Sequence, residues 1–341
     1  MADDNPQPDP AVVLDLLEAF RRSKTMFAAV SLGVFDALVA GPRSLEELAG
    51  ELAANRGALE RLLDACVGLQ LLRRADHRYE NTPAAMAYLT RSSPDRLTGY
   101  INYSNDVMWK LWAHLEDGIR EGTHRWQQTY GWEGPIFSSF FKTDEAKREF
   151  LMGMHGFGRI SSPQVVEAFD LGRFSRLVDL GGATGHLAIA ACRRYPQLQG
   201  VVFDLPDARS LAAEIVGRSD VATRIEFVAG DFFVDELPAG DLFALGRILH
   251  DWTEAKILLL LTRIYERLPP GGGVLIAEKL LLDDRSGPRW AQMQNLNMLV
   301  CTEGQERTLG QYDALLRRVG FREVQGRRTA SPLDAVLAIK G

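Results

Sequence analysis

The spacing of apolar residues divides the chain into two parts with different periods. Over residues 11–40, apolar side chains return at helical intervals: Val13, Leu14, Leu17 and Phe20, then Met26, Phe27, Val30, Val34 and Leu38. Ser44-Leu45-Glu46-Glu47 is a capping box that opens a short helix. Leu59, Leu62, Leu63, Cys66, Leu69 and Leu72 mark another, and residues 73–82 read as a polar hairpin. Residues 11–95 are therefore expected to form an all-α, winged-helix-like domain, preceded by a disordered tail at 1–10. From Arg176 onward the pattern changes to short continuous apolar runs at 177–180, 201–205, 225–228, 242–249, 274–277 and 335–339. Runs of this kind, alternating with helical stretches, predict parallel strands buried on both faces in a doubly wound α/β domain over 166–341. Between the two, residues 96–165 are rich in aromatics such as Trp109, Trp112, Trp126, Trp132 and Phe141. This stretch is expected to be a helical linker that walls a ligand pocket.

Composition narrows the function classes. The chain has 341 residues, 46% hydrophobic and 25% charged, with a net charge of −6. Residues 1–95 carry ten basic and fourteen acidic side chains. That balance is a poor phosphate-binding surface and argues against nucleic acid as a partner, despite the winged-helix pattern. No apolar run approaches the length of a membrane span, and the acidic, proline-rich start has no secretory character. A cytoplasmic protein is expected. Cys66, Cys192 and Cys301 form no CxxC pair, so neither a zinc site nor a disulfide framework is implied.

The sharpest motif is Val178-Asp179-Leu180-Gly181-Gly182-Ala183-Thr184-Gly185-His186, a strand end, a glycine-rich turn and a helix start. It is neither G-x-G-x-x-G nor a P-loop, and it suits a ligand without phosphate whose cationic amino-acid part Asp179 attracts. Asp204 ends the second strand, placed to accept from ribose hydroxyls. Gly230-Asp231-Phe232 follows the third, where an acid beside an aromatic suits an adenine ring. An acid at one strand end is commonly a helix cap; one at each successive strand end points to an adenosyl ligand, and so to S-adenosylmethionine.

Further segments carry a resemblance. Gly246-Arg247-Ile248-Leu249-His250-Asp251-Trp252, Pro269-Pro270-Gly271-Gly272-Gly273, Glu278 and Thr302-Glu303-Gly304-Gln305-Glu306-Arg307-Thr308 occur in that order. With them, the chain resembles the plant-type (caffeate/acetylserotonin-like) S-adenosylmethionine-dependent O-methyltransferase family over nearly its whole length. Ser31-Leu32-Gly33-Val34-Phe35-Asp36 is similar to part of that family's dimerisation domain. The resemblance implies a Rossmann-like class I methyltransferase domain, a homodimer, and a small aromatic hydroxyl substrate such as acetylserotonin, another hydroxyindole or a phenol. It further implies His250 as general base, with Glu278 and Glu306 orienting it and no metal. The other five histidines read as core residues. Phe141, Gly181, Asp204, Asp231, Phe232 and Arg247 would hold the cofactor, and Asp251 and Asn297 the substrate. Two positions depart from the family: Cys301 replaces a substrate-contacting glutamine, and Gly158 replaces a tryptophan, leaving the cofactor side more open.

Overall fold

The structure, a computed structural model, describes residues 8–132 and 144–341. The chain forms two compact units, residues 1–105 and 106–341.

In the first unit, helix Ala11–Ser31 ends at Gly33, whose φ of 77° turns the chain into the short helix Val34–Ala37. The helical period predicted over 11–40 is thus divided by one left-handed residue. The capping box forms as written: the Ser44 hydroxyl accepts from Glu47 N–H at 3.3 Å, and the Glu47 carboxylate accepts from Ser44 N–H at 2.6 Å. Helices Leu45–Glu51 and Arg56–Gly68 pack with a small sheet of β1 (Arg43–Ser44), β2 (Leu72–Ala75) and β3 (Arg78–Asn81), in the order β1-β3-β2. Val34, Phe35, Leu48, Leu63, Cys66 and Tyr79 are the buried centre, and Tyr79 donates its hydroxyl proton to Asp64 at 2.8 Å. The N-terminal half of the long helix keeps its apolar side in the open: Val12, Leu16, Leu17 and Phe20 are each more than half exposed.

The second unit is built on a seven-stranded sheet of β4 (Arg176–Leu180), β5 (Gln199–Asp204), β6 (Ile225–Ala229), β7 (Leu242–Gly246), β8 (Gly273–Glu278), β9 (Phe321–Arg327) and β10 (Asp334–Lys340). Its order is β6-β5-β4-β7-β8-β10-β9. The first five strands are parallel, while β10 pairs antiparallel with both β8 and β9. The sheet is therefore mixed, not wholly parallel. Strand β9 escaped the apolar pattern because it is an edge: Phe321 is buried, but Arg322, Glu323, Gln325 and Arg327 face solvent. The run predicted at 242–249 also stops early. Arg247 has a φ of 59°, and residues Leu249–Asp251 form a single 3₁₀ turn. That break places His250 in the turn just past the carboxyl end of β7, the edge at which ligands bind in open α/β sheets. No described helix is long and apolar enough to cross a membrane.

Candidate active site

The carboxyl ends of β4, β5 and β6 bring the predicted acids together. After β4 the chain turns through Gly181, at φ 67°. A Cβ there would lie 2.4 Å from the tip of the Ile248 side chain, which would have to shift, and the left-handed φ itself favours glycine. Ala183 N–H donates to Asp204 Oδ2 at 2.7 Å, and Leu205 N–H to Oδ1 at 2.7 Å. Gly230 N–H donates to the Asp204 carbonyl at 2.9 Å, which ties the β5 and β6 ends together. Asp231 accepts from Phe233 N–H at 2.8 Å, beside a Phe232–Phe233–Trp252 series of edge contacts at 4.8 and 5.0 Å. Asp179 is 2% exposed, and its Oδ2 has no hydrogen-bond partner among the described residues. Burial pushes Asp179 up to about 8, against a bond from Ala188 N–H and helped by the charge of Asp204. Burial likewise raises Asp204 to about 6. A buried acid with an unpaired oxygen is suited to a ligand that brings its own cation.

The second cluster lies across β7 and β8. His250 is 3% exposed, and its Nδ1 is 2.6 Å from Glu306 Oε1. Its backbone N–H donates to Glu278 Oε1 at 3.1 Å, while Glu278 Oε2 accepts the hydroxyl of buried Tyr312. Asp251 Oδ1 lies 3.7 Å from His250 Nε2. Burial works against a charged ring, but Glu306, Asp251 and Glu278 outweigh it and raise His250 to about 9. Donor atoms of His250, Glu278 and Glu306 lie within 4.8 Å of one another, a spacing that a metal ion could bridge. Both Glu278 oxygens and the imidazole Nδ1 are already engaged in hydrogen bonds.

Three residues that sequence reasoning missed hold this cluster in place. Gly304 passes so close under the histidine turn that a Cβ would sit 2.2 Å from the His250 carbonyl oxygen. Arg307, buried, donates to the carbonyls of Leu249 at 3.2 Å and Trp252 at 3.4 Å, bracketing His250-Asp251. Tyr312 anchors Glu278. Gly304 and Arg307 stand in the quoted Thr302–Thr308 motif, which was the available signal; Tyr312 lies outside it and had none.

Helix Arg289–Cys301 closes one side. Asn297 Oδ1 accepts from Trp112 Nε1 at 2.9 Å, and the Cys301 carbonyl from Trp126 Nε1 at 2.8 Å. The linker's tryptophans therefore grip this helix. Cys301 Sγ is turned back onto its own helix, 2.8 Å from the Asn297 carbonyl, with Asn297 Nδ2 at 3.7 Å. Arg247 sits over the Phe157 ring at 5.4 Å. Phe141 lies outside the described residues. The opening expected at Gly158 is not there: the His186 ring fills it, 2.2 Å from where a Cβ would be.

A sheet of this order, with a glycine turn and acids at three strand ends, defines a class I S-adenosylmethionine-dependent methyltransferase. Two family profiles agree: an O-methyltransferase domain over residues 112–322 and an O-methyltransferase dimerisation domain over 14–91. The chain belongs to this O-methyltransferase family. It is 41% identical over 338 residues to the acetylserotonin O-methyltransferase of Gallus gallus, covering 97% of each. It is also 41% identical over 336 residues to a probable bifunctional dTTP/UTP pyrophosphatase/methyltransferase protein of Homo sapiens, spanning 98% of this chain and about half (54%) of that relative's length. Human N-acetylserotonin methyltransferase, solved in complex with S-adenosylmethionine, superposes with a TM-score of 0.92 at 38% identity over 99% of both chains. The protein is an S-adenosylmethionine-dependent O-methyltransferase.

Proposed function

We propose that the enzyme methylates the hydroxyl oxygen of a small aromatic substrate, with acetylserotonin, another hydroxyindole or a phenol as the acceptor, and that His250 is the general base. The observation that carries this reading is the buried 2.6 Å contact between His250 Nδ1 and Glu306. It fixes the ring with Nε2 as the remaining basic nitrogen, the arrangement by which a third group orients a catalytic base. Bound S-adenosylmethionine supplies a methyl group already activated by its positive sulfur. A phenol's pKa of about 10 makes it a poor nucleophile at neutral pH, so His250 Nε2 removes its proton as the oxygen attacks. Glu306 balances the imidazolium that results, and Glu278 holds the His250 backbone. Asp179, Gly181, Asp204, Gly230, Asp231, Phe232 and Arg247 are assigned to the cofactor, and Asp251, Asn297 and Cys301 to the substrate side.

The partner in this reading is a second copy of the chain. Support comes from the match to a dimerisation domain over 14–91 and from the exposed apolar side of helix Ala11–Ser31, where Val12 is 67% and Phe20 56% exposed. Three buried, unpaired cysteines suit a reducing cytoplasm.

The experiment is incubation of the purified enzyme with methyl-labelled S-adenosylmethionine and a panel of hydroxyindoles, phenols, anilines and carbon acids. Label in aromatic hydroxyls is the expected result. Transfer confined to nitrogen or carbon would overturn the acceptor assignment.

A further inference from the structure

Beside the glycine turn lies a group of polar side chains to which the reading above gives no role: buried His155, Ser162 and Thr184, and half-buried His186. Helix Asp144–Glu167 touches the turn twice. His155 Nδ1 is 2.9 Å from Thr184 Oγ1, and Ser162 Oγ is 2.9 Å from His186 Nδ1. His186 opens the helix His186–Arg194, whose preceding residue, Gly185, gives it no side-chain cap. The imidazole lies against Gly158: a Cβ at 158 would fall 2.2–2.4 Å from Cγ, Nδ1 and Cδ2 of the ring. The face of the imidazole thus lies against Gly158 and its Nδ1 is taken by Ser162, which leaves Nε2 as the ring nitrogen with no hydrogen-bond partner among the described residues.

We propose that His186 is a cofactor-contacting residue: its Nε2–H donates to the carboxylate of the cofactor's amino-acid end, while Asp179 takes the ammonium of the same end. The inference rests on the assignment of the glycine turn to S-adenosylmethionine. Two independent observations meet here. Asp179 Oδ2 is buried without a partner and lies 2.8 Å from where a Gly182 Cβ would be, so it is aimed into the turn. An amino-acid zwitterion held there by its ammonium needs a donor for its other charge, and the first turn of a helix is where an anion is favoured. Burial, followed by the charges of His155 and Arg247, lowers His186 to about 3, so the ring is neutral at physiological pH. In the proposed tautomer, Ser162 donates to Nδ1 and the ring's one proton is on Nε2. Gly158 is required in this arrangement because any side chain there would displace the ring.

Calorimetric titration with S-adenosylhomocysteine and with 5′-methylthioadenosine, which lacks the amino-acid end, tests the proposal. His186→Ala should weaken S-adenosylhomocysteine on the order of tenfold, as loss of a bond to a charged group does, and leave methylthioadenosine unchanged. His186→Phe keeps a ring in the notch without a donor and should show the same selective loss. Gly158→Ala should show it too, with His186 still present. Wild-type affinity for S-adenosylhomocysteine in a folded His186→Phe protein, or equal weakening of both ligands, would overturn the proposal. Asp204→Ala separates the two levels. It should weaken both ligands, and if it affects neither, the cofactor assignment of the turn itself has failed.

Discussion

The two acidic clusters at the carboxyl edge of the sheet are finished in opposite ways. Around β4 and β5, Asp179 and Asp204 face backbone N–H groups and each other, and burial raises both. Around β7 and β8, Glu278, Glu306 and Asp251 surround an imidazole that is itself buried. Glu306 too keeps one oxygen unpaired, yet its other oxygen is bound to the ring. The first cluster has no cation bonded to it among the described residues and, in the proposed function, is completed by a ligand that carries one. The second contains its own ionisable group, the imidazole, and in the proposed mechanism works by changing that group's protonation. In the proposed function, similar residue types at neighbouring strand ends thus serve binding in one place and proton transfer in the other.

The largest expected effect tests the second half of this contrast. His250→Ala should keep cofactor affinity and lose about 10²–10⁴ in kcat, the usual contribution of a positioned base. The pH profile sharpens the test. A histidine raised to about 9 is protonated at neutral pH, and only roughly one ring in a hundred is free to accept a proton at pH 7. Wild-type turnover should therefore climb as pH rises towards 9. In His250→Ala that limb should vanish, leaving a weaker rise driven by the substrate's own ionisation near its pKa of about 10. A folded variant with near wild-type kcat at neutral pH would leave His250 a packing residue.

Next in size is the first cluster. Asp204→Ala should weaken S-adenosylmethionine by about 1.5–3 kcal/mol, the worth of hydrogen bonds to a charged group, as read by calorimetry. Its kcat at saturating cofactor should change far less, because the proton-handling cluster is untouched. Gly304→Ala probes the scaffold between substrate chemistry and fold. Its new Cβ would press on the His250 carbonyl at 2.2 Å, so overpacking should cost about 1–3 kcal/mol of stability. Thermal unfolding that matches wild type would show that the histidine turn yields without strain.

How much of this was legible in sequence differs between the two clusters for a physical reason. The glycine turn is local: strand, glycines and helix follow one another, so the positions of Asp179 and Gly181 at the end of β4 read directly. The proton-handling cluster gathers residues 250, 278 and 306 from three separate segments, and only the resemblance placed them together. Strand β9 and the early stop at Gly246 were missed because an edge strand shows one covered face, and because Arg247 adopts a left-handed φ that its residue type does not advertise. Gly158 was misread because a missing side chain looks like space. Helix Asp144–Glu167 and the glycine turn are far apart in sequence, and His186 fills the gap only once they meet.

The smallest effect goes to the centre of the comparison. If Asp179 stands at about 8 in the free enzyme, it is mostly protonated at pH 7, and a ligand ammonium beside it must drive that proton off. Binding of S-adenosylhomocysteine at pH 7 should therefore release a substantial fraction of one proton. Asp204, at about 6, is already mostly ionised there and adds little. Titrations in buffers of different ionisation enthalpy read the proton count directly, because each released proton adds the buffer's heat. Asp179→Asn preserves the shape of the side chain but cannot ionise, so the buffer dependence should disappear while some binding remains. Release that persists in Asp179→Asn would place the titrating group elsewhere. No release in the wild type would mean that Asp179 is ionised before the ligand arrives, and the contrast between a cluster completed by its ligand and one complete in itself would fail at its first member.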